Sequence, residues 1–275
     1  MAEFFTMMSA PVVVAVVLVL MHGYLGGHVV RREVIFVDIA LAQVAAFGVA
    51  IALFFGAEHG TDVAWWSGLG STFVGALLIS LAGGRRGNVP QEAYIGIIYA
   101  VFSAAMILIL TQVPHGSEEI NHLLVGSILW VSWMQVAKTA VLYAVLGVVL
   151  WWAHGRLSRI SRDVEQARAD GLRIKAWDFL FYAVLGTVVT SSVQIAGVLL
   201  VFTLLVVPSV MACRRGCEGW GRGSMLFVLV VGVIAVVLGA ALSWTMDLPT
   251  GAAIVCVFGL MLGVQILIES LLARR

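Results

Sequence analysis

Asp38 is the residue whose chemistry fits its surroundings least. It stands near the start of a long apolar run, Val34-Ile-Phe-Val-Asp-Ile-Ala-Leu-Ala-Gln43. An ionised side chain at mid-bilayer costs roughly 2.5 to 3.5 kcal/mol on insertion scales, so such a residue needs a partner or a function. A carboxylate can bind a divalent cation. It can equally lie among lipid headgroups or pair with Arg31 or Arg32, and the sequence leaves both interpretations open.

Gln43 is the second polar side chain of the same run. Residues five positions apart on an α-helix are rotated by about 140° from each other at 3.6 residues per turn. Asp38 and Gln43 therefore do not share one helix face, and they need further ligands to hold an ion. Gln265 and Glu269 also interrupt an apolar run, and we expect them to form helix-helix hydrogen bonds or to lie at an interface.

A polar stretch between Val113 and Met134 carries Glu118, Glu119 and His122. The apolar part that follows is too short for a full crossing, so a re-entrant half-helix or an outer cap fits better. Its acidic side chains would form an outer mouth that attracts cations. The simpler interpretation is a solvated loop, and it remains open.

Catalytic motifs are absent from the sequence. A P-loop needs a lysine that follows a glycine, and the only lysines, Lys138 and Lys175, do not. The motifs His-Glu-x-x-His, Gly-x-Ser-x-Gly and Gly-x-Gly-x-x-Gly are missing too. We therefore expect no enzyme activity and no bound cofactor. The three cysteines, Cys213, Cys217 and Cys256, lie in no recognisable metal motif and are expected to be free thiols.

The elements that position these residues must lie in lipid. Of 275 residues, 61% are hydrophobic and 11% are charged, against about 25% charged residues in soluble domains. The apolar residues form runs of about twenty, the length that crosses the hydrocarbon core as a helix. The sequence predicts an all-α, polytopic bundle of eight or nine membrane helices in a single domain over residues 1–275, with segments at roughly 8–28, 34–56, 65–83, 94–112, 134–153, 177–192, 194–213, 225–246 and 250–272.

Charge alternates from loop to loop. Basic residues gather in every second loop, at 31–32, 85–86, 156–175, 214–222 and 274–275, and the loops between them are acidic. The positive-inside rule places the basic loops in the cytoplasm, and with nine crossings the N-terminus lies outside. Because the net charge is only +1, we expect membrane lipid and no nucleic acid as a partner.

Residues 154–176 form the longest polar loop. Asp163 can cap the start of a helix there, and Gly171 can end it in a left-handed conformation. Two interpretations remain open: a solvated helix that rests on the headgroups, and a docking element for a cytoplasmic partner.

Several stretches, in order along the chain, resemble the permeases of ABC importers for zinc, manganese and iron. They are Leu25–Gly48, Glu92–Tyr99, Leu123–Leu129, Ala196–Pro208 and Asp247–Val255. The stretch Asp163–Leu172 is similar to the coupling helix of that family, within about residues 157–176. The resemblance covers nearly the whole chain.

The resemblance implies a permease in a bacterial plasma (inner) membrane that moves divalent metal into the cytoplasm by alternating access. Its expected partners are a second copy of the chain, a cytoplasmic ATP-binding cassette subunit that hydrolyses ATP, and an extracytoplasmic metal-binding protein. The residues expected to dock the ATPase are Arg162, Asp163, Glu165, Ala167, Arg168 and Gly171.

The sequence departs from this family on the second helix. Members typically carry an Asp followed four residues later by a His, and here these positions are Ile39 and Gln43, with the aspartate at Asp38. Imidazole binds zinc and manganese better than a carboxamide does. The chain can therefore hold metal weakly through Asp38 and Gln43, use another ligand such as His28, or carry a metal chelate. A secondary transporter driven by an ion gradient is a further alternative.

Overall fold

The described part of the chain is helical. The computed structural model describes residues 2–58, 61–82, 89–113, 126, 128–216 and 221–273, and no strand occurs in these ranges. The helices are α1 (Ala2–Arg31), α2 (Val37–Phe54), α3 (Asp62–Ala82), α4 (Gln91–Leu110), a 3₁₀ turn (Ile128–Trp130), α5 (Trp133–Arg162), α6 (Val164–Ala169), α7 (Ile174–Cys213), α8 (Arg222–Met246) and α9 (Thr250–Leu272).

Eight of the described helices are long and apolar enough to cross a membrane, and only α6 is not. Their outer surfaces carry large apolar side chains, such as Leu260, Val264 and Leu267 on α9. Side chains of this kind on every outer face suit lipid rather than water. The predicted all-α membrane bundle is confirmed, with eight candidate membrane helices in the described ranges.

Helix α7 combines two of the predicted segments. It runs for 40 residues and is broken at Gly197, where φ is 75° and ψ is 159°. Only glycine adopts this conformation without strain. Forty residues in one straight helix would run for about 60 Å, about twice the hydrocarbon thickness, so we expect the parts before and after the break to cross the membrane separately. The predicted segments 177–192 and 194–213 meet at residue 193, a few residues before the observed break.

The described helices pack into two compact units. The first unit contains Met1–Val30, Val125–Ala144 and Ile195–Arg275, and the second contains Arg31–Leu124 and Val145–Gln194. In the first unit, a Cβ added to Gly23 would lie 2.5 Å from Val228, so α1 and α8 approach closely. The side chain of Gln265 on α9 donates to the carbonyl of Met211 on α7 at 3.0 Å, which confirms the helix-helix hydrogen bond.

In the second unit, α2 packs against α3 and α4. The Ser67 hydroxyl donates to the carbonyl of Gly48 at 2.6 Å, and Thr72 of α3 shares a 2.9 Å hydrogen bond with Thr190 of α7. Hydrogen bonds of this kind join helices where lipid gives no hydrophobic driving force. The Ser67 bond ties α3 to α2, the helix that carries Asp38 and Gln43, and the Thr72 bond ties α3 to α7.

The cysteines do not all match the expectation. Cys256 is a free thiol, as predicted, but Cys213 takes part in a disulfide, so the prediction of a free thiol there was wrong. Cys217 lies outside the described residues. The spacing of the cysteines in the sequence matched no metal motif. It does not show whether two sulfur atoms come close enough to form a disulfide.

Candidate functional site

Asp38 lies in the first turn of α2 and is almost completely buried, with 1% of its surface exposed. The start of a helix suits a carboxylate, because the unpaired amides there carry partial positive charge. Its Oδ1 atom nevertheless has no hydrogen-bond partner among the described residues. Pairing with Arg32 does not occur, since that guanidinium contacts Asp178 at 2.7 Å. The buried oxygen is therefore available to a cation or a proton donor.

Glu92 is a second carboxylate at the same end of α2, and the sequence analysis gave it no role. Its Oε1 atom accepts a hydrogen bond from the amide of Phe36 at 3.0 Å, immediately before α2 begins. Its Oε2 atom is buried and has no hydrogen-bond partner among the described residues. Phe36 lies two residues before Asp38, so this hydrogen bond brings the two carboxylates to the same end of α2. We call Asp38 and Glu92 the acidic pair.

The acidic pair offers two unpartnered oxygen atoms of the type that hard divalent cations prefer. One signal in the sequence pointed to Glu92: it is an ionisable residue in the first turn of an apolar helix. What the sequence did not show is that α4 begins beside α2. That contact depends on how the helices pack.

Gln43 is buried one and a half turns further along α2, with 8% of its surface exposed. Its Oε1 atom also lacks a hydrogen-bond partner among the described residues. No group of three or more His, Cys, Asp or Glu side chains within the described ranges could hold a metal ion. The acidic pair therefore has no third ligand of these types among the described residues, and Gln43 stands about 140° around α2 from Asp38.

His28 belongs to the first unit, whereas Asp38 and Gln43 belong to the second. It is buried, with its ring edge-on to Tyr24 at a centroid distance of 5.0 Å. His22, also buried, donates from Nδ1 to the carbonyl of Leu18 at 2.8 Å. Within its own unit, His28 packs as an aromatic side chain of α1.

The expected outer mouth of Glu118, Glu119 and His122 lies outside the described residues and stays a prediction. Described residues of the first unit line a cavity of about 570 Å³ that includes Trp130, Trp244 and Asp247. Most of its lining is apolar, and Asp247 is its single carboxylate. The cavity by itself offers too few ligands to select a metal.

The helix expected within residues 154–176 exists as α6, and its cytoplasmic location stays a prediction. Asp163 accepts a hydrogen bond from the amide of Gln166 at 2.9 Å and caps its start, and Gly171 follows its end with φ of 78°. Both are the roles predicted from the sequence. We call residues 156–178, from the end of α5 through α6 to the start of α7, the α5–α7 hairpin.

The α5–α7 hairpin has an apolar interior and a charged exterior. Ala167 is buried against Ile160 and Ile174. Among the other expected docking residues, Arg168 is half-buried. The remaining four are exposed: Arg162, Asp163, Glu165 and Gly171. Ala167 therefore holds α6 in place, while the polar residues form the surface available to a partner.

Aromatic residues fix the base of the hairpin. The Arg156 guanidinium lies 4.8 Å from the ring centre of Trp177 and 5.4 Å from that of Trp152. Tryptophan and arginine favour the boundary between lipid and water. These contacts join the end of α5 to the start of α7, so the hairpin is a folded element whose base suits such a boundary.

The profile of a family described as the ABC 3 transport family matches residues 4–269. The match covers nearly the whole chain, including α2, the acidic pair and the hairpin. This chain belongs to the ABC 3 transport family. The family membership predicted from the sequence is confirmed, and so is the expected place of a multi-pass protein in a bacterial inner membrane.

Relatives of this ABC 3 family member span similar lengths. A protein of Chlamydia muridarum named "Probable metal transport system membrane protein" is 22% identical over 251 residues, covering 90% of this chain and 84% of the relative. The manganese transport system membrane protein MntC of Listeria monocytogenes is 23% identical over 266 residues, covering 92% and 87%.

The fold has a solved counterpart. The structure of PsaBC from Streptococcus pneumoniae in complex with Fab matches with a TM-score of 0.77 over 96% of this chain and 94% of the matched chain. The identity is 21%, so the likeness establishes the fold alone. It supports the all-α membrane fold expected from the sequence.

Proposed function

We propose that this chain is the membrane permease subunit of an ATP-driven importer that moves a divalent metal ion into the cytoplasm. The observation that carries the proposal is the acidic pair: two carboxylates at the start of α2, each with a buried oxygen that has no partner among the described residues. A membrane protein rarely keeps such groups without a function. Membership of a transport family and the names of its relatives support the same function.

The acidic pair suits passage of an ion better than storage. Two carboxylates and the Gln43 carboxamide supply oxygen ligands, and water would complete the coordination of the ion. Tight sites in proteins use more ligands or imidazole. A loose set releases its ion readily, which a pathway requires.

ATP hydrolysis is assigned to a separate cytoplasmic subunit, because the chain has no P-loop. The α5–α7 hairpin is the proposed docking element, since its charged surface is exposed and its apolar interior keeps it folded. A second copy of the chain and an extracytoplasmic metal-binding protein complete the proposed assembly. Closure of the ATPases would then switch the permease between outward and inward access.

The test begins with affinity purification from native membranes in mild detergent, followed by mass spectrometry of bound proteins. We expect a Walker-type ATPase to remain bound. The purified complex is then placed in vesicles, and uptake of manganese, zinc and iron is measured with ATP and with a protonophore.

ATP-dependent uptake that the protonophore leaves unchanged would establish the importer. Uptake that needs a proton gradient and no ATPase would instead show a secondary transporter. If the complex takes up a metal chelate and no free metal ion, the chain is a permease for the chelate and the proposed substrate is wrong.

A further inference from the structure

Arg32 is a buried charged side chain with several partners. It directly follows α1, and its side chain is 5% exposed. Its Nη1 atom contacts Oδ1 of Asp178 at 2.7 Å, and its Nε donates to the hydroxyl of Ser161 at 2.8 Å. The guanidinium also lies 4.3 Å from the ring centre of Phe181.

These contacts hold both ends of the α5–α7 hairpin. Ser161 lies at the end of α5 just before α6, and Asp178 lies near the start of α7 just after it. The Asp178 side chain is 10% exposed, so the ion pair is shielded from water. A buried pair resists separation, because either partner left alone would keep an unpaired charge. Movement of the hairpin must therefore move Arg32.

From Arg32, polar contacts continue to the start of α2. Tyr182, fully buried, interacts with Arg32 and accepts a hydrogen bond from Nε2 of Gln91 at 3.1 Å. The residue after Gln91 is Glu92, which accepts the 3.0 Å hydrogen bond from Phe36. Arg32 is also only six residues before Asp38 in the chain. All of these residues belong to the second unit.

We infer that the Arg32–Asp178 pair is the joint through which movement of the α5–α7 hairpin reaches the acidic pair. Arg32 and Asp178 are thus positioning residues that link ATP hydrolysis to transport without touching the ion. The inference rests on the proposed function, in which the hairpin docks an ATPase. Chains of packed and hydrogen-bonded side chains can carry such coupling, but it has to be measured.

The measurement is the amount of metal taken up per ATP hydrolysed by the complex in vesicles. The variants are Arg32→Gln, Asp178→Asn and the double variant, with Arg32→Lys as a conservative substitution that keeps the charge and the contact to Asp178. We expect the ATPase to stay bound and hydrolysis to continue in the Gln and Asn variants, while uptake per ATP falls by about tenfold, within the usual range of coupling between sites. The double variant should be no worse than either single one, because the pair acts as a unit. Arg32→Lys should retain most of the coupling.

The matched control is an ion pair outside the hairpin, Arg214 with Glu269, which is partly exposed and belongs to the first unit. Arg214→Gln and Glu269→Gln should leave the ratio unchanged, because this pair is not among the contacts that lead from the hairpin to the acidic pair. If the Arg32 and Asp178 variants are only present in smaller amounts in the membrane, with an unaltered uptake per ATP, the pair is structural and the inference is wrong. If the unmodified chain binds no ATPase, the proposed function itself fails, which is a separate outcome.

Discussion

At the scale of the residue, polar side chains in this protein divide by whether their hydrogen-bonding capacity is used. Arg32 and Asp178 pair with each other, although Nη2 of Arg32 keeps no hydrogen-bond partner among the described residues, and Gln91 donates to both Tyr182 and the carbonyl of Ile79. The acidic pair keeps unused buried oxygens instead. An unpaired buried polar group is costly, and two carboxylates at the same end of α2 each keep one, so a cationic ligand is expected there.

Removing either charge of the acidic pair should slow transport. For Asp38→Asn and Glu92→Gln we expect uptake to fall about tenfold or more, because a charge-assisted contact contributes roughly 1.5 to 3 kcal/mol. Uptake of radioactive or mass-labelled metal in cells that lack other importers measures this. Glu33→Gln is the control, since Glu33 is exposed just before α2. Uptake at the unmodified rate in both acidic-pair variants would exclude a role for these carboxylates.

Gln43→His should make α2 bind metal more tightly, because imidazole is a better ligand than a carboxamide for zinc and manganese. We expect a lower KM for metal together with a lower maximal rate, since release becomes slower. Initial rates of uptake over a range of metal concentrations separate the two effects. Gln112→His, at an exposed position after α4, should change neither. An unchanged KM in Gln43→His would place Gln43 outside the path of the ion.

At the scale of the element, the α5–α7 hairpin depends on a small apolar interior and on caps at both ends of α6. Ala167 fits between Ile160 and Ile174, and no larger or charged side chain is expected to fit there. The helix itself has only six residues, too few to be stable alone. Its packing therefore decides whether the docking surface exists.

Ala167→Asp tests this dependence. A buried carboxylate beside two isoleucines should destabilise the hairpin by roughly 2 kcal/mol or more, and the ATPase should no longer copurify. Ala169→Asp, on the exposed side of the same helix, should leave binding intact. Equal retention of the ATPase by both variants would show that α6 is not the docking element.

The break in α7 gives a prediction about topology. If both halves cross the membrane, the segments on either side of α7 face the cytoplasm. The chain can be cut after a chosen residue and fused there to a fluorescent protein or to alkaline phosphatase. Fusions after residue 172 or residue 216 should then be fluorescent and lack phosphatase activity. Fusions after residue 197 should have phosphatase activity and no fluorescence. Phosphatase activity after residue 216 would show that α7 crosses once.

At the scale of the whole molecule, the chain is one part of a proposed assembly. Two differently tagged copies expressed together should copurify after extraction in mild detergent, since the proposed permease is a homodimer. Purification through the first tag, followed by quantification of the second tag, measures this. The control is a mixture of separately expressed copies combined only after solubilisation. Recovery of one tag alone would mean that a single copy is the functional unit.

The sequence by itself determined the membrane class, the family and the general position of the helices. These follow from local properties: apolar runs of the right length, loop charge, and the cap residues Asp163 and Gly171. Asp38 and Gln43 stood out for the same reason, as polar residues in an apolar run.

The tertiary structure decided what those residues contact. Glu92 lies beside the start of α2, and Arg32 forms its ion pair with Asp178 rather than with Asp38. Ala167 is buried against Ile160 and Ile174. Asp178 is 146 positions from Arg32, and Glu92 is 56 positions from Phe36. Periodicity and charge report only neighbours along the chain, whereas these contacts are set by which helix faces pack together.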